Sequence, residues 1–243
     1  MLAALLTTIL FATSAICGYR TAKQIGGVEA NFWRITLATI FLTIWAFTFG
    51  SQFAGAPGWF MLSGLFGIGV GDSGYFQALP RLGSRRTVLL TQCLTAPFAA
   101  LIEWIWLGTR LNLSEAVCVI VILAGVAIAL APEDHLKISR RDWEIGIIAS
   151  VVGALGAAVG AVVIRKGYAA IAEAGLTVDA GTTGYQRVLG GILIPTVAVL
   201  VFKWRSAQAH GPMFERKTWR VSTDKWRRIW PWVLVNALAG QTL

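Results

Sequence analysis

Charged residues in this chain stand in short clusters, and between the clusters run apolar stretches long enough to cross a lipid bilayer. A crossing helix needs about 20 mostly apolar residues. Inside lipid every backbone N–H and C=O must find its partner within the protein, and for stretches of this kind the α-helix is the structure that provides it. The pattern sets the fold class as an all-α polytopic membrane protein. Charged residues make up 14% of the 243 positions, against roughly a quarter in soluble domains. The 26 glycines and 11 tryptophans suit close helix packing in lipid and aromatic rings at its borders.

The spacing predicts helices over Leu2 to Tyr19, with Arg20 and Lys23 marking the exit, then Trp33-Arg34 to Gly50, and Trp59 to Leu79 ending at Pro80-Arg81. Two more follow, from the basic turn at Arg85-Arg86 to Leu107 and from Leu113 to Ala131. A polar connector, Pro132 to Glu144, divides the chain into 1–132 and 145–243. Beyond it, helices are expected over Ile145 to Ile164 and Tyr185 to Phe202. The basic segment Lys203 to Arg228 precedes a last apolar stretch, Trp230 to Leu243. That stretch has fourteen residues, giving roughly 20 Å of helix against a hydrocarbon core of about 30 Å. It reads as the front of a longer helix or as a re-entrant segment, and truncation at the C-terminus is the expectation.

A faint internal repeat fits that expectation. Basic residues, a loop and Trp33-Arg34 recur as Arg165-Lys166, a loop and Gln186-Arg187, and Trp59 has its counterpart near Trp230-Pro231-Trp232. Five helices per repeat is an odd number, so the two halves would lie inverted in the membrane, as in many secondary transporters.

The net charge of +9 does not point to nucleic acid, because the basic residues flank membrane helices and no recognition pattern accompanies them. Cys17, Cys93 and Cys118 lie singly in apolar segments, and His135 and His210 fall in expected loops without metal-ligand spacing. No cofactor, metal or catalytic constellation is expected, and no phosphate-binding loop for ATP. The sequence sets no oligomeric state.

Asp72 is the most informative residue. A carboxylate at membrane depth is costly and belongs in a protein-lined or wet interior. It is a candidate proton- or substrate-linked group, or a structural hydrogen-bond partner. Asp72 lies eight residues before Pro80, about 12 Å along the helix. Gln92 and Thr95 lie six and nine residues beyond Arg86, roughly 9 and 13 Å, so they share its depth. Tyr75 and Gln77 add polar groups nearer the exit. Arg34 and Arg187 open helices two and seven, where each can contact an anionic substrate, complement a carboxylate, or snorkel to the interface. Glu103, beside Trp104 and Trp106, reads as an interfacial carboxylate. The motifs Gly67–Gly71 and Gly156–Gly160 place small residues four apart on one helix face, as close backbone approach requires.

From Met1 to Pro132, most clearly from Asp72 on, and more loosely from Ile145 onwards, the chain resembles the EamA domain of the drug/metabolite transporter superfamily. The resemblance is carried by Tyr75-Phe76 with Ala78-Leu79, Pro97, Gly108 followed by Arg110-Leu111, and Leu123-Ala124-Gly125, with Lys23 and Arg34 upstream. It implies ten helices in two inverted five-helix repeats, and movement of small organic solutes such as amino acids, sugars, nucleotide precursors or drugs. Gly108-Thr109-Arg110 departs from the family's usual Gly-Glu-Arg. The expected activity is secondary transport of a small metabolite or drug-like solute across the cell membrane, protons being the simplest coupling ion and the lipid bilayer the other partner. The alternative is a membrane component without transport activity. Positive charge favours cytoplasmic loops after the odd-numbered helices and an N-terminus outside, whereas the resemblance implies the reverse.

Overall fold

The computed structural model describes residues 2–108, 112–129, 138–210 and 223–241, and among these every regular element is helical. Helix α1 (Leu2–Ile25) is followed by α2 (Gly27–Thr48). The third predicted helix is one continuous helical run in three parts. These are α3 (Pro57–Gly64), a π-helical segment (Leu65–Asp72) and α4 (Ser73–Leu82). Then come α5 (Ser84–Leu107), α6 (Leu113–Ala129), α7 (Arg140–Glu173), α8 (Ala180–Gly191), α9 (Leu193–His210) and α10 (Thr223–Gln241). Among the described residues, four stretches are long and apolar enough to cross a membrane by themselves: Gly27–Thr48, Ser84–Trp106, Arg140–Glu173 and Ala180–Arg205. Large apolar side chains such as Ile105, Leu113 and Ile128 face outward, as a lipid-facing surface requires. The chain is a multi-pass membrane protein.

Several boundaries differ from expectation, each for a local reason. Arg20 and Lys23 lie within α1 rather than beyond it. The Arg20 guanidinium stacks over Trp232 at 4.3 Å, and the Lys23 ammonium donates to the Tyr19 hydroxyl at 3.3 Å. Pro80 does not end its helix, which runs on to Leu82 and stops where Gly83 takes φ 83°. Proline has no N–H to offer the carbonyl four residues back, here that of Phe76. The start of α2 lies close against that carbonyl, at Gly27, where a Cβ would overlap it. Helix α7 begins five residues before Ile145 and continues past Arg165-Lys166, capped by the Ser139 hydroxyl accepting from the Asp142 N–H. Helix seven starts at Ala180 and is interrupted at Ile192, and His210, expected in a loop, is the last residue of α9. Thr109, Arg110, Pro132 and His135 lie outside the described residues.

The long α7 is the centre of the bundle, touching α3, the π segment, α4 and α5. Its buried face is a stripe of small residues that includes Gly146, Ser150, Gly153, Gly156 and Gly160. The two glycine motifs singled out in the sequence meet there. A Cβ on Gly156 would stand 2.6 Å from the Gly71 nitrogen, and one on Gly160 would stand 2.7 Å from the Gly67 Cα. Backbone therefore packs directly on backbone, which only glycine permits. The Ser63 hydroxyl adds a hydrogen bond to the Gly160 carbonyl at 2.8 Å.

Helix α8 is strapped to the α2–α3 loop. The buried Gln186 amide donates to the carbonyls of Gln52 (2.8 Å) and Ala54 (3.0 Å), and the Ser51 N–H donates to the Thr182 hydroxyl at 2.9 Å. Replacing Gln186 with Leu removes both donors from that loop, at a cost of about 0.5–1.5 kcal/mol for each bond lost. Faster proteolytic cleavage within residues 49–56 is the expected readout. An unchanged cleavage rate would contradict the strap.

Candidate functional site

Helix α2 buries one face, containing Gly27, Ala30, Asn31, Arg34, Ile35 and Ala38. Because the helix starts at Gly27, Arg34 is its eighth residue, roughly 10 Å inside. It does not open the helix, as the sequence suggested, and it is 4% exposed, so it does not snorkel. Its guanidinium forms a salt bridge with Asp72 and lies over the Phe76 ring at 5.0 Å. Asp72 closes the π segment. Extra residues accommodated by i→i+5 bonding are frequent at functional sites, where they re-aim side chains.

Around this pair lies a polar shell. The Asn31 amide donates to the Ser73 hydroxyl at 3.4 Å, and that hydroxyl donates to the Gly69 carbonyl at 2.5 Å. From the other side, Ser14 of α1 donates to the buried Asn236 of α10 at 2.7 Å. A Cβ on Gly240 of α10 would stand 2.8 Å from the Arg34 guanidinium, so α10 closes over the arginine through a glycine.

Asp72 is 26% exposed at its side chain against 5% for Arg34. The exposure faces a cavity of about 760 Å³ whose wall includes Asp72, Arg187, Phe41, Trp45, Tyr168 and Thr183. Arg187 is the eighth residue of α8, the same offset that Arg34 has in α2. Its backbone packs on Gly64, where a Cβ would overlap the Arg187 carbonyl. Its Nη2 lies 3.6 Å from where a Gly67 Cβ would be, above the glycine contact of α7. Arg187 and Asp72 line the same cavity. The cavity volume falls in the range of small-molecule sites, about 300–1,000 Å³.

The structure brings together Asp72, Arg34 and Arg187. Tyr75 lies one turn beyond Asp72, packed edge-on against Phe76 at 5.7 Å, with its buried hydroxyl unpaired. The three remaining candidates lie elsewhere. Gln77 accepts from Arg81 at 3.0 Å and borders a second cavity of about 610 Å³, with Glu29 and Asp142. Gln92 is exposed on α5, and the Thr95 hydroxyl donates to the Thr91 carbonyl at 2.6 Å. Neither lines the cavity of Asp72. Glu103 has a partner that its own helix could not supply, a salt bridge to Arg165 on α7. Asn31, Ser73 and Asn236 escaped the sequence reading. Asn31 sits three residues before Arg34 on the same face, a signal available once the helix is taken to begin at Gly27.

Where α2 ends and α8 begins, the exposed Asp179 caps α8. Its carboxylate accepts from the Thr182 hydroxyl (2.6 Å), the Thr182 N–H (2.8 Å) and the Trp45 indole N–H (3.4 Å). These bonds, the Thr182 hydroxyl first, hold its carboxyl below the ordinary value of 3.8. The bonded form is the carboxylate. Its stabilisation is therefore complete above the ordinary value and fades as pH falls through the lower folded value. Asp179→Ala is expected to cost about 1 kcal/mol at neutral pH, and Asp179→Asn a few tenths. In thermal unfolding at pH 7 and pH 3, the gap between wild type and the Ala variant should narrow at pH 3, and a gap that widens would contradict the cap.

The profile of the EamA-like transporter family matches residues 1–131, more than half of the chain. No curated protein and no solved structure matches the chain significantly.

Proposed function

Because the chain belongs to the EamA-like transporter family, we propose that it carries a small organic solute across the cell membrane as a secondary carrier, with the cavity of Asp72 and Arg187 as the solute's site. One observation carries this reading. An ion pair and a second arginine are held at membrane depth against a cavity large enough for a metabolite. Charges there are costly, and they are tolerated where they face a pathway or one another. The shared offset of Arg34 and Arg187 supports two repeated units facing one cavity, 1–132 and 145–243, in the inverted arrangement that alternating access uses. The glycine contacts of α7 with the π segment support rocking of one unit on the other, since smooth backbone surfaces carry no interlocked side chains.

Asp72 is the natural carrier if protons are coupled. A proton can be taken up there only as Arg34 releases the carboxylate, so proton movement and opening of the pair become one step. The test is uptake by purified protein in liposomes, using labelled amino acids, sugars, nucleosides and organic acids with and without a pH gradient. Saturable uptake of at least one class, lost in Asp72→Asn, is expected. If correctly folded protein moves none of them, the membrane component without transport becomes the better account.

A further inference from the structure

We infer that the solute carried in this cavity is an organic anion, with a carboxylate or similar group bound by Arg187 and an apolar or aromatic body beside Phe41, Trp45 and Tyr168. The inference rests on the carrier reading for its setting and on charge for its content. Arg34 is committed to Asp72 behind the cavity wall. Arg187 stands on the wall itself, forms no salt bridge among the described residues, and its buried Nε has no hydrogen-bond partner. Two guanidinium groups and one carboxylate thus stand at this cavity and just behind it, an excess of a single positive charge. A cation confined at membrane depth without its own counter-charge favours any anion that can enter. Guanidinium also presents a planar fork that binds carboxylate through two parallel hydrogen bonds. The aromatic rings supply the apolar surface that small-molecule sites use for the body of a ligand.

A zwitterion would also need a free carboxylate for its ammonium group, and Asp72 already holds Arg34. A cationic solute would meet Arg187 with like charge. The same cavity therefore disfavours both relative to a simple anion.

Equilibrium binding to the full chain in detergent tests this apart from transport. The probes are 2-naphthoate and 3-phenylpropionate, their neutral amides, and 2-naphthylmethylamine. The carboxylates are expected to bind at least tenfold tighter than the amides, with the amine weakest. Arg187→Gln should erase the preference, and Arg187→Lys should keep part of it, with each variant's fold checked by its elution profile. Equal binding of acid and amide, tightest binding of the amine, no binding of any probe, or a preference that survives in Arg187→Gln would overturn the inference. Anion preference without flux in liposomes would remove the carrier reading and leave the site, whereas flux of neutral solutes without anion preference would do the opposite.

Discussion

Asp72→Leu is expected to remove most of the folded protein from the membrane fraction, and adding Arg34→Met is expected to bring it back without restoring transport. Arg34 is almost wholly enclosed, and Asp72 is its one salt-bridge partner among the described residues. Taking the carboxylate away leaves a buried cation uncompensated, a loss of about 3–5 kcal/mol. Replacing both charges with apolar side chains of similar size removes the desolvation cost along with the attraction, and such exchanges are often neutral. The two effects separate structure from function, because the double variant should fold yet lack the cavity's carboxylate. Thermal stability in detergent reads the first quantity and uptake into liposomes the second. A folded Asp72→Leu protein of normal stability would show that the pair does not stabilise the bundle.

The second large effect concerns two glycines in contact that should behave unequally. Gly160→Ala places a Cβ 2.7 Å from the Gly67 Cα and 2.8 Å from its nitrogen, with backbone on both sides and no rotamer to relieve the clash. The helices must separate, and a loss of about 1–3 kcal/mol or more follows from overpacking. Gly67→Ala places its Cβ 3.5 Å from the Gly160 Cα, an ordinary contact. That change should be close to neutral, helped by alanine's higher helix propensity. Melting temperatures of the two variants test the asymmetry. Equal losses would mean that this contact is not the backbone packing described above.

The helical membrane architecture was legible because length and charge spacing suffice for it. The two small-residue motifs were legible as packing surfaces, though only the structure shows that they pack on each other. Arg34 was read as opening its helix because the continuous apolar run begins just after it, while the helix itself starts at Gly27 and carries the polar residues Glu29 and Asn31 in its first turns. Hydropathy marks where lipid exposure begins, and these residues sit in a helix whose polar face is covered by neighbouring helices. Gln92 and Thr95 were grouped with Asp72 by depth alone. Depth follows from 1.5 Å per residue, but the direction of a side chain depends on the rotation of each helix about its axis. The π segment adds a further rotation just before Asp72, and nothing in the run from Leu65 to Gly71 announces it beyond an excess of glycine. Asn236 was missed because its apolar stretch looked too short, whereas α10 draws its first turns from the basic segment.

The central claim is that the Asp72–Arg187 cavity opens in turn to the two sides of the membrane. Gly184 lines that cavity, and a Cβ there would meet only Leu42, at 3.7 Å, so a cysteine fits. With Cys17, Cys93 and Cys118 replaced, the rate at which a membrane-impermeant maleimide alkylates Gly184→Cys can be measured in right-side-out and inside-out vesicles. The carrier account predicts reaction from both sides, with a solute that is transported slowing both rates. Reaction from one side only, unaltered by any solute or by a pH gradient, would contradict it.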